Sequence, residues 1–377
     1  MEVLQSTMQN GSFSGPGREL SDYVEGIQGS FPLHRAVLKV LPVGTRVVSS
    51  ETCGLSTWTK TAKVTALLPD GNSKRYFLKV ATGKGAKPMA EGEFRSASII
   101  DSIVSGFTPK PSGWGEYMDK SNFTQYYFFI GDFHDMDFST APEPEEIMAK
   151  LVTLHQNAIS PNGKFGFPVP VVSGIMEHTV TWTPSWVESF TAQLQDVLRY
   201  DTETNGSWPE LDAASQQLVE AVIPRLLGAL QSNGRNIKPT LIHGDLWERN
   251  VGIDMETGNS LVFDAGSTYG HNEFEFGTWR CIWAYYFNSP TYMRFYQRHI
   301  EPSDPAEEWD DRNRLYSIHT HFNYSAGHAG NITRGLALND ILYLCEKYAP
   351  LDTLEKYDPD RNISISPNYA SLAKKQL

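Results

Sequence analysis

Residues 241–254, LIHGDLWERNVGID, and residues 260–266, SLVFDAG, decide how this chain is read. TLIH and SLVF are short apolar runs of the kind that form buried strands. Each hands an aspartate to its exit, Asp245 after His243 and Gly244, and Asp264 after Phe263. One aspartate at a strand end is ordinarily a turn former or a cap. Three oxygen-bearing side chains set this close together, Asp245, Asn250 and Asp264, ask for a ligand. A hard divalent cation such as Mg2+ takes one or two ligands from protein and completes its shell with water and phosphate oxygens.

The spacing is the H-x-D…N…D arrangement in which one Asp orients an attacking hydroxyl while Asn and a second Asp hold metal. On that reading Asp245 is the catalytic base and Asn250 and Asp264 are Mg2+ ligands. Phosphoryl transfer also needs a cation on the nucleotide phosphates, kept in place by a carboxylate. Lys79, at the end of RYFLKV, and Glu93, in the helical pattern that follows, suit those two tasks. The turn SSETCGLSTW, residues 49–58, is the expected phosphate cover, because Gly54 lets backbone approach closely. It carries no G-x-G-x-x-G.

Outward from these motifs the chain has two halves of different character. With 377 residues and 40% hydrophobic content it can bury more than one core. The first 17 residues, rich in Gly and Ser, are expected to be disordered. A helix is expected over about 20–40. TRVVSS, TWTKTAKVTALL and KRYFLKV then read as strands, with PDGNSK as the turn between the last two. MAEGEFRSASIIDSIV has helical spacing, and PKPSGWGEYM and TQYYFFIGDF return to strand. Beyond about Met136 helix dominates: EEIMAKLVTLHQNA, then a long run in which Leu218, Val222, Leu226 and Leu230 share a face and Pro224 forces a kink or break. WRCIWAYYF and the segment 312–349 are also helical in tendency. The expected division is an N-terminal nucleotide-binding lobe over 18–136 and a C-terminal catalytic and substrate lobe over 137–377.

A net charge of −12 and the absence of a Lys/Arg stripe argue against nucleic acid as a partner. No stretch reaches the roughly 18 apolar residues of a membrane span, and the N-terminus has no secretory signal pattern. Three cysteines in so long a chain argue for a reducing compartment, so a cytoplasmic protein is expected. His271 and His328 fall at no usual zinc-ligand spacing.

HGDLWERN together with FDAGSTYGHNEFEF resembles the fructosamine kinase family, also called ketosamine-3-kinases or protein-ribulosamine 3-kinases. FLKV at 77–80, EGE at 91–93 and KFGF at 164–167 add to the likeness, which runs from about Gly44 to about Tyr348. The resemblance implies an α+β, two-lobed protein-kinase-like fold of the aminoglycoside-phosphotransferase branch. It implies ATP and Mg2+ as cofactors and transfer of phosphate to the 3-hydroxyl of a ribulosamine or fructosamine on lysine. It gives Asp245 the role of base, Asn250 and Asp264 the metal, and Lys79 with Glu93 the phosphates. It also makes the backbone near Asp132 and Phe133 the hinge that meets adenine.

Trp247, two residues from the base, offers an indole face to a sugar or a lysyl stem, and His328 is set beside it as a second substrate contact. His243 is expected to fix its loop, and Tyr269, Glu273 and Glu275 to anchor the metal loop from beneath. The expected partners are glycated lysines on small molecules, peptides or proteins, with neither nucleic acid nor membrane involved. The alternatives are a kinase for another hydroxylated amine, such as choline or an aminoglycoside, and a catalytically dead nucleotide-binding scaffold.

Overall fold

The computed structural model describes residues 22–54, 56–174 and 176–368, so the N-terminal segment expected to be disordered lies outside the described residues. The chain divides into two compact units. The described residues up to Thr82, with Ser112–Phe133, form the first, and Gly83–Pro111 with the described residues from His134 onward form the second.

The first unit is built on strands β1 (Arg46–Thr52), β2 (Lys60–Leu67), β3 (Ser73–Thr82), β4 (Pro111–Asp119) and β5 (Thr124–Asp132). They form one sheet in the order β1-β2-β3-β5-β4. Alternation decides which face is dry: Ala62, Val64 and Ala66 on β2, and Tyr76, Leu78 and Val80 on β3, are buried together with Phe128 and Ile130. Lys79 falls on the opposite face and pairs in register with Thr61 and Phe129.

The helix expected over 20–40 does not form. Among the described residues of that span only Arg35–Val40 coil, as a 3-10 turn whose Ala36 amide donates to the His34 ring. The preceding stretch instead runs along the sheet, with bridges Tyr23 to His34 and Gln28 to Ser49. Gly29 explains why. Its φ is +100°, and a Cβ there would stand 2.2 Å from the Ser50 carbonyl oxygen, so the chain presses flat against β1.

The second unit holds the remaining elements. Helix α1 (Ala86–Ile103) is followed by β6 (Met136–Asp137), α2 (Pro144–Asn157), β7 (Val171–Ser173) and β8 (Met176–His178). Then come α3 (Trp186–Asn205), α4 (Pro209–Gln217) and α5 (Ile223–Gly228). Short strands β9 (Thr240–Ile242), β10 (Val251–Asp254), β11 (Ser260–Val262) and β12 (Thr268–Gly270) lead to α6 (Pro290–Gln297), α7 (Trp309–Gly327) and α8 (Thr333–Tyr348).

Helices α3, α4, α5, α7 and α8 close on one core that includes Trp186, Phe190, Leu194, Phe322 and Ile341. Pro224 divides its helix as expected: Leu218–Val222 widen into a π-helical turn just before it, because proline brings no N–H to the ladder. Leu218, Val222, Leu226 and Leu230 still share one fully buried face. WRCIWAYYF is a correction, since after the 3-10 turn Thr278–Arg280 the chain runs in irregular turns to Ser289. The amides of Tyr285, Tyr286 and Phe287 donate to the Glu248 carboxylate, which removes the donors a helix would use. Among the described residues no helix is long and apolar enough to cross a membrane.

Candidate active site

Two small antiparallel ladders bring the motif residues together in the second unit. β9 pairs with β12, setting Ile242 opposite Thr268, while β10 pairs with β11, setting Val251 opposite Val262. The segment between β11 and β12, with Asp264 at its head, therefore folds back over the exit of β9. Gly244 makes the closeness possible. At φ +84° it accepts a conformation that other residues avoid, and a Cβ on it would stand 2.3 Å from the Gly266 carbonyl oxygen.

Asp245 follows directly. The Asn250 amide nitrogen donates to the Asp245 carboxylate and to its backbone carbonyl, each at 2.9 Å. That leaves the Asn250 side-chain oxygen as the atom this residue can turn to a cation. The Phe263 amide donates to the Asn250 carbonyl at 3.0 Å, tying the two ladders at the point where Asp264 emerges. Asp264 sits at φ +59°, a left-handed conformation that aspartate tolerates and that clusters at functional sites.

Burial first, and then the charge of Asp264, push the Asp245 carboxyl up to about 7, against bonds from Asn250 and Trp247 that favour the anion. The Asp264 charge that raises Asp245, beside the Asn250 amide oxygen, makes a donor set that a divalent cation would relax. Among the described residues no group of three or more His, Cys, Asp or Glu is placed to hold a metal. A donor set of one amide oxygen and carboxylate oxygens fits a hard cation that draws the rest of its shell from phosphate and water, as Mg2+ does.

The loop is held from below by a buried carboxylate. Glu275 accepts the backbone N–H of His243 at 2.6 Å and of Gly244 at 3.1 Å, and faces the His155 ring at 3.4 Å. His155 in turn meets the Tyr296 hydroxyl at 2.8 Å, to which Asn272 also donates. Burial alone would push the Glu275 carboxyl up, but His155 and the His243 amide outweigh it and hold the group below its ordinary value. Glu273 secures the flank through buried Arg312, at 2.7 and 3.0 Å, and through the Ser303 amide. Tyr269 acts through its main chain, exchanging hydrogen bonds with Gly166 and so joining the KFGF and YGHNEFE motifs. His243 accepts the Asp245 amide at 3.3 Å, and burial holds its pKa down, so it is a neutral loop-fixing ring. Trp279 adds a tether, its indole N–H donating to the Leu246 carbonyl at 2.9 Å.

Sequence reasoning found Glu273 and Glu275 but missed His155, Trp279, Tyr296 and Arg312. Nothing local marks them, since each lies on an element distant in sequence from the residue it holds.

Of the other residues named from sequence, Trp247 is half-buried beside Asp245, with the Arg249 guanidinium 5.7 Å from its ring. Glu93 lies in α1, whose Ser96 hydroxyl accepts the Ser267 amide at 3.2 Å, so this helix touches the loop that follows Asp264. His328 caps α7 and stacks on Tyr324, ring centroids 4.0 Å apart.

Lys79, Gly54, Asp132 and Phe133 belong to the first unit. Gly54, at φ +70°, lies in the turn between β1 and β2. The Asp132 carboxylate pairs with Lys74 at 2.8 Å. The Phe133 amide donates to the Arg75 carbonyl, so its own carbonyl is the backbone atom it has left to offer a base. Cys53 is half-buried, and burial pushes its thiol up, which lowers its reactivity.

A family model for fructosamine kinases matches residues 59–337, most of the chain. The chain belongs to the fructosamine kinase family. Its relatives include a chloroplastic protein-ribulosamine 3-kinase of Oryza sativa subsp. indica, 28% identical over 250 residues that span 66% of each chain. A ketosamine-3-kinase of Mus musculus is 26% identical over 287 residues, 72% of this chain and 88% of that one. Among solved structures, a candidate fructosamine-3-kinase from Thermobifida fusca superposes with a TM-score of 0.62 at 18% identity, covering 82% of this chain and 98% of that one. A thermostable mutant of aminoglycoside phosphotransferase APH(4)-Ia does so at 0.51 and 15% identity, covering 81% of this chain and 96% of that one. These two show the fold, which is the α+β protein-kinase-like fold expected from the sequence.

Proposed function

We propose that this fructosamine kinase family member is an ATP-dependent ketosamine 3-kinase, acting on ribulosamine or fructosamine adducts of lysine. The observation that carries the reading is the cluster of Asp245, Asn250 and Asp264, held on Glu275 in the geometry just described. Asp245, raised to about 7, is suited to accept a proton from a sugar hydroxyl near neutral pH. Asn250 orients it through the 2.9 Å bond and, with Asp264, offers oxygens to Mg2+. The bound ion supplies neutralisation of phosphate charge. Lys79 would serve the nucleotide phosphates with Glu93 as its partner, Gly54 the turn above them, and the Asp132–Phe133 backbone the adenine.

Trp247 and His328 are assigned to the acceptor. The acceptor's secondary amine is cationic and suits both an aromatic face and nearby carboxylates. The free thiols of Cys53, Cys281 and Cys345 support a reducing, cytoplasmic setting.

The test is Mg2+-dependent ATP consumption and mass-shift analysis with ribulosyl-lysine, fructosyl-lysine, a glycated peptide, choline and an aminoglycoside side by side. Phosphorylation of the sugar-lysines at the 3-hydroxyl is expected. Phosphorylation of choline or the aminoglycoside alone would leave only the broader kinase reading, and no turnover with any acceptor would favour a scaffold.

A further inference from the structure

Between Trp247 and Asn250 the chain carries a carboxylate that the reading above leaves without a task. Glu248 is 2% exposed. Its Oε1 accepts three backbone N–H groups, from Tyr285 at 2.8 Å, Tyr286 at 3.1 Å and Phe287 at 3.1 Å. The Tyr286 hydroxyl donates to the Glu248 carbonyl at 3.4 Å. A buried carboxylate is costly unless its charge is met, and converging backbone amides are a fixed way of meeting it. The bonds hold Tyr285–Phe287 out of helix and against the loop that carries Asp245 and Asn250.

Just ahead of those amides is Trp283, half-buried and stacked on Tyr324 with ring centroids 4.7 Å apart. Tyr324 stacks in turn on exposed His328 at 4.0 Å. A continuous set of contacts thus leads from the residue after Trp247 to an aromatic face that ends on His328. Stacked rings offer what a cationic, hydroxylated amine binds: apolar faces for its C–H surface and π-density for its charge.

We propose that Glu248 is a positioning residue for the acceptor. By locking Tyr285–Phe287 it sets Trp283, with Tyr324 and His328, as the wall against which the sugar amine is held relative to Asp245. The inference rests on the ketosamine kinase reading and concerns the acceptor rather than the nucleotide.

The test uses the full-length protein with Glu248→Ala, Glu248→Gln and Trp283→Ala. Hydrogen exchange should show the amides of 285–287 protected in the parent, open in Glu248→Ala and intermediate in Glu248→Gln, which keeps an acceptor oxygen without the charge. KM for the sugar-lysine should rise about tenfold in Glu248→Ala and Trp283→Ala and less in Glu248→Gln, while KM for ATP stays within about twofold. An accelerated exchange with unchanged acceptor KM overturns the proposal, as does an equal rise in both KM values. If Glu248→Ala does not fold, the other two variants decide by the same KM comparison. If the parent phosphorylates choline or an aminoglycoside instead of a sugar-lysine, the ketosamine reading fails, and the split is measured with that acceptor. Turnover of no acceptor would overturn both.

Discussion

Replacing Glu275 by Gln is the most informative single perturbation of the site. The carboxylate is 3% exposed and serves two adjacent amides with its two oxygens, His243 at 2.6 Å and Gly244 at 3.1 Å. A carboxamide has one oxygen and one NH2, so one backbone N–H must face another donor and remain unpaired. A buried orphan donor costs about 1–3 kcal/mol, and the remaining bond loses its charge assistance, so a total of about 2–4 kcal/mol is expected. His155 loses the anion it faces as well. Because the two amides are those of the residues leading directly into Asp245, the loss should also displace that carboxylate, and a shift near 1 Å can cost about 10²-fold in turnover. Urea unfolding followed by fluorescence, together with kcat for the sugar-lysine, measures both consequences. A stability loss below about 0.5 kcal/mol with unchanged kcat would show that Glu275 does not hold the loop.

Asp245→Asn should behave in the opposite way, lowering kcat by roughly 10²–10⁴-fold while stability stays level or rises, because the raised carboxyl is a cost to the fold; near-normal kcat would remove Asp245 as base. Gly244→Ala should fail to accumulate as folded protein or lose most activity, since its Cβ meets backbone at 2.3 Å rather than a side chain that can move; a stable, active variant would mean the loop is not as described.

Stability should fall as pH drops from about 6.5 towards 4. Burial holds His178 and His321 at about 4, and His271 and His319 well below 6.5, so the unfolded chain binds protons that the folded one refuses. Each contributes roughly 1.4 kcal/mol per pH unit within that window and nothing above it. Asp245 works the other way, its folded pKa being raised, so the slope should steepen in Asp245→Asn. Urea midpoints at pH 7, 6 and 5 that do not move would refute this account.

The local grouping of the candidate site was legible in the residues alone. HGDLWERN and FDAG carried Asp245, Asn250 and Asp264 as a set, because the spacing of polar side chains within short loops is written in consecutive residues. The strands β1 to β5 and helices such as α1 and α2 were legible for a similar reason, since alternation and helical spacing record which face is buried.

Two segments read as helix were not, and in both the deciding partner was distant in sequence. The Gly29 backbone lies against Ser50, and the amides of 285–287 answer to Glu248. A propensity for helix of a few tenths of a kcal/mol per residue yields to a buried carboxylate that needs its charge met. The support of the site was hidden in the same way. His155, Trp279, Tyr296 and Arg312 are ordinary core residues until tertiary structure brings them under the loop. Hydrogen bonds between residues 33 to 141 positions apart leave no period or spacing in the chain, and only folding pairs their donors with their acceptors.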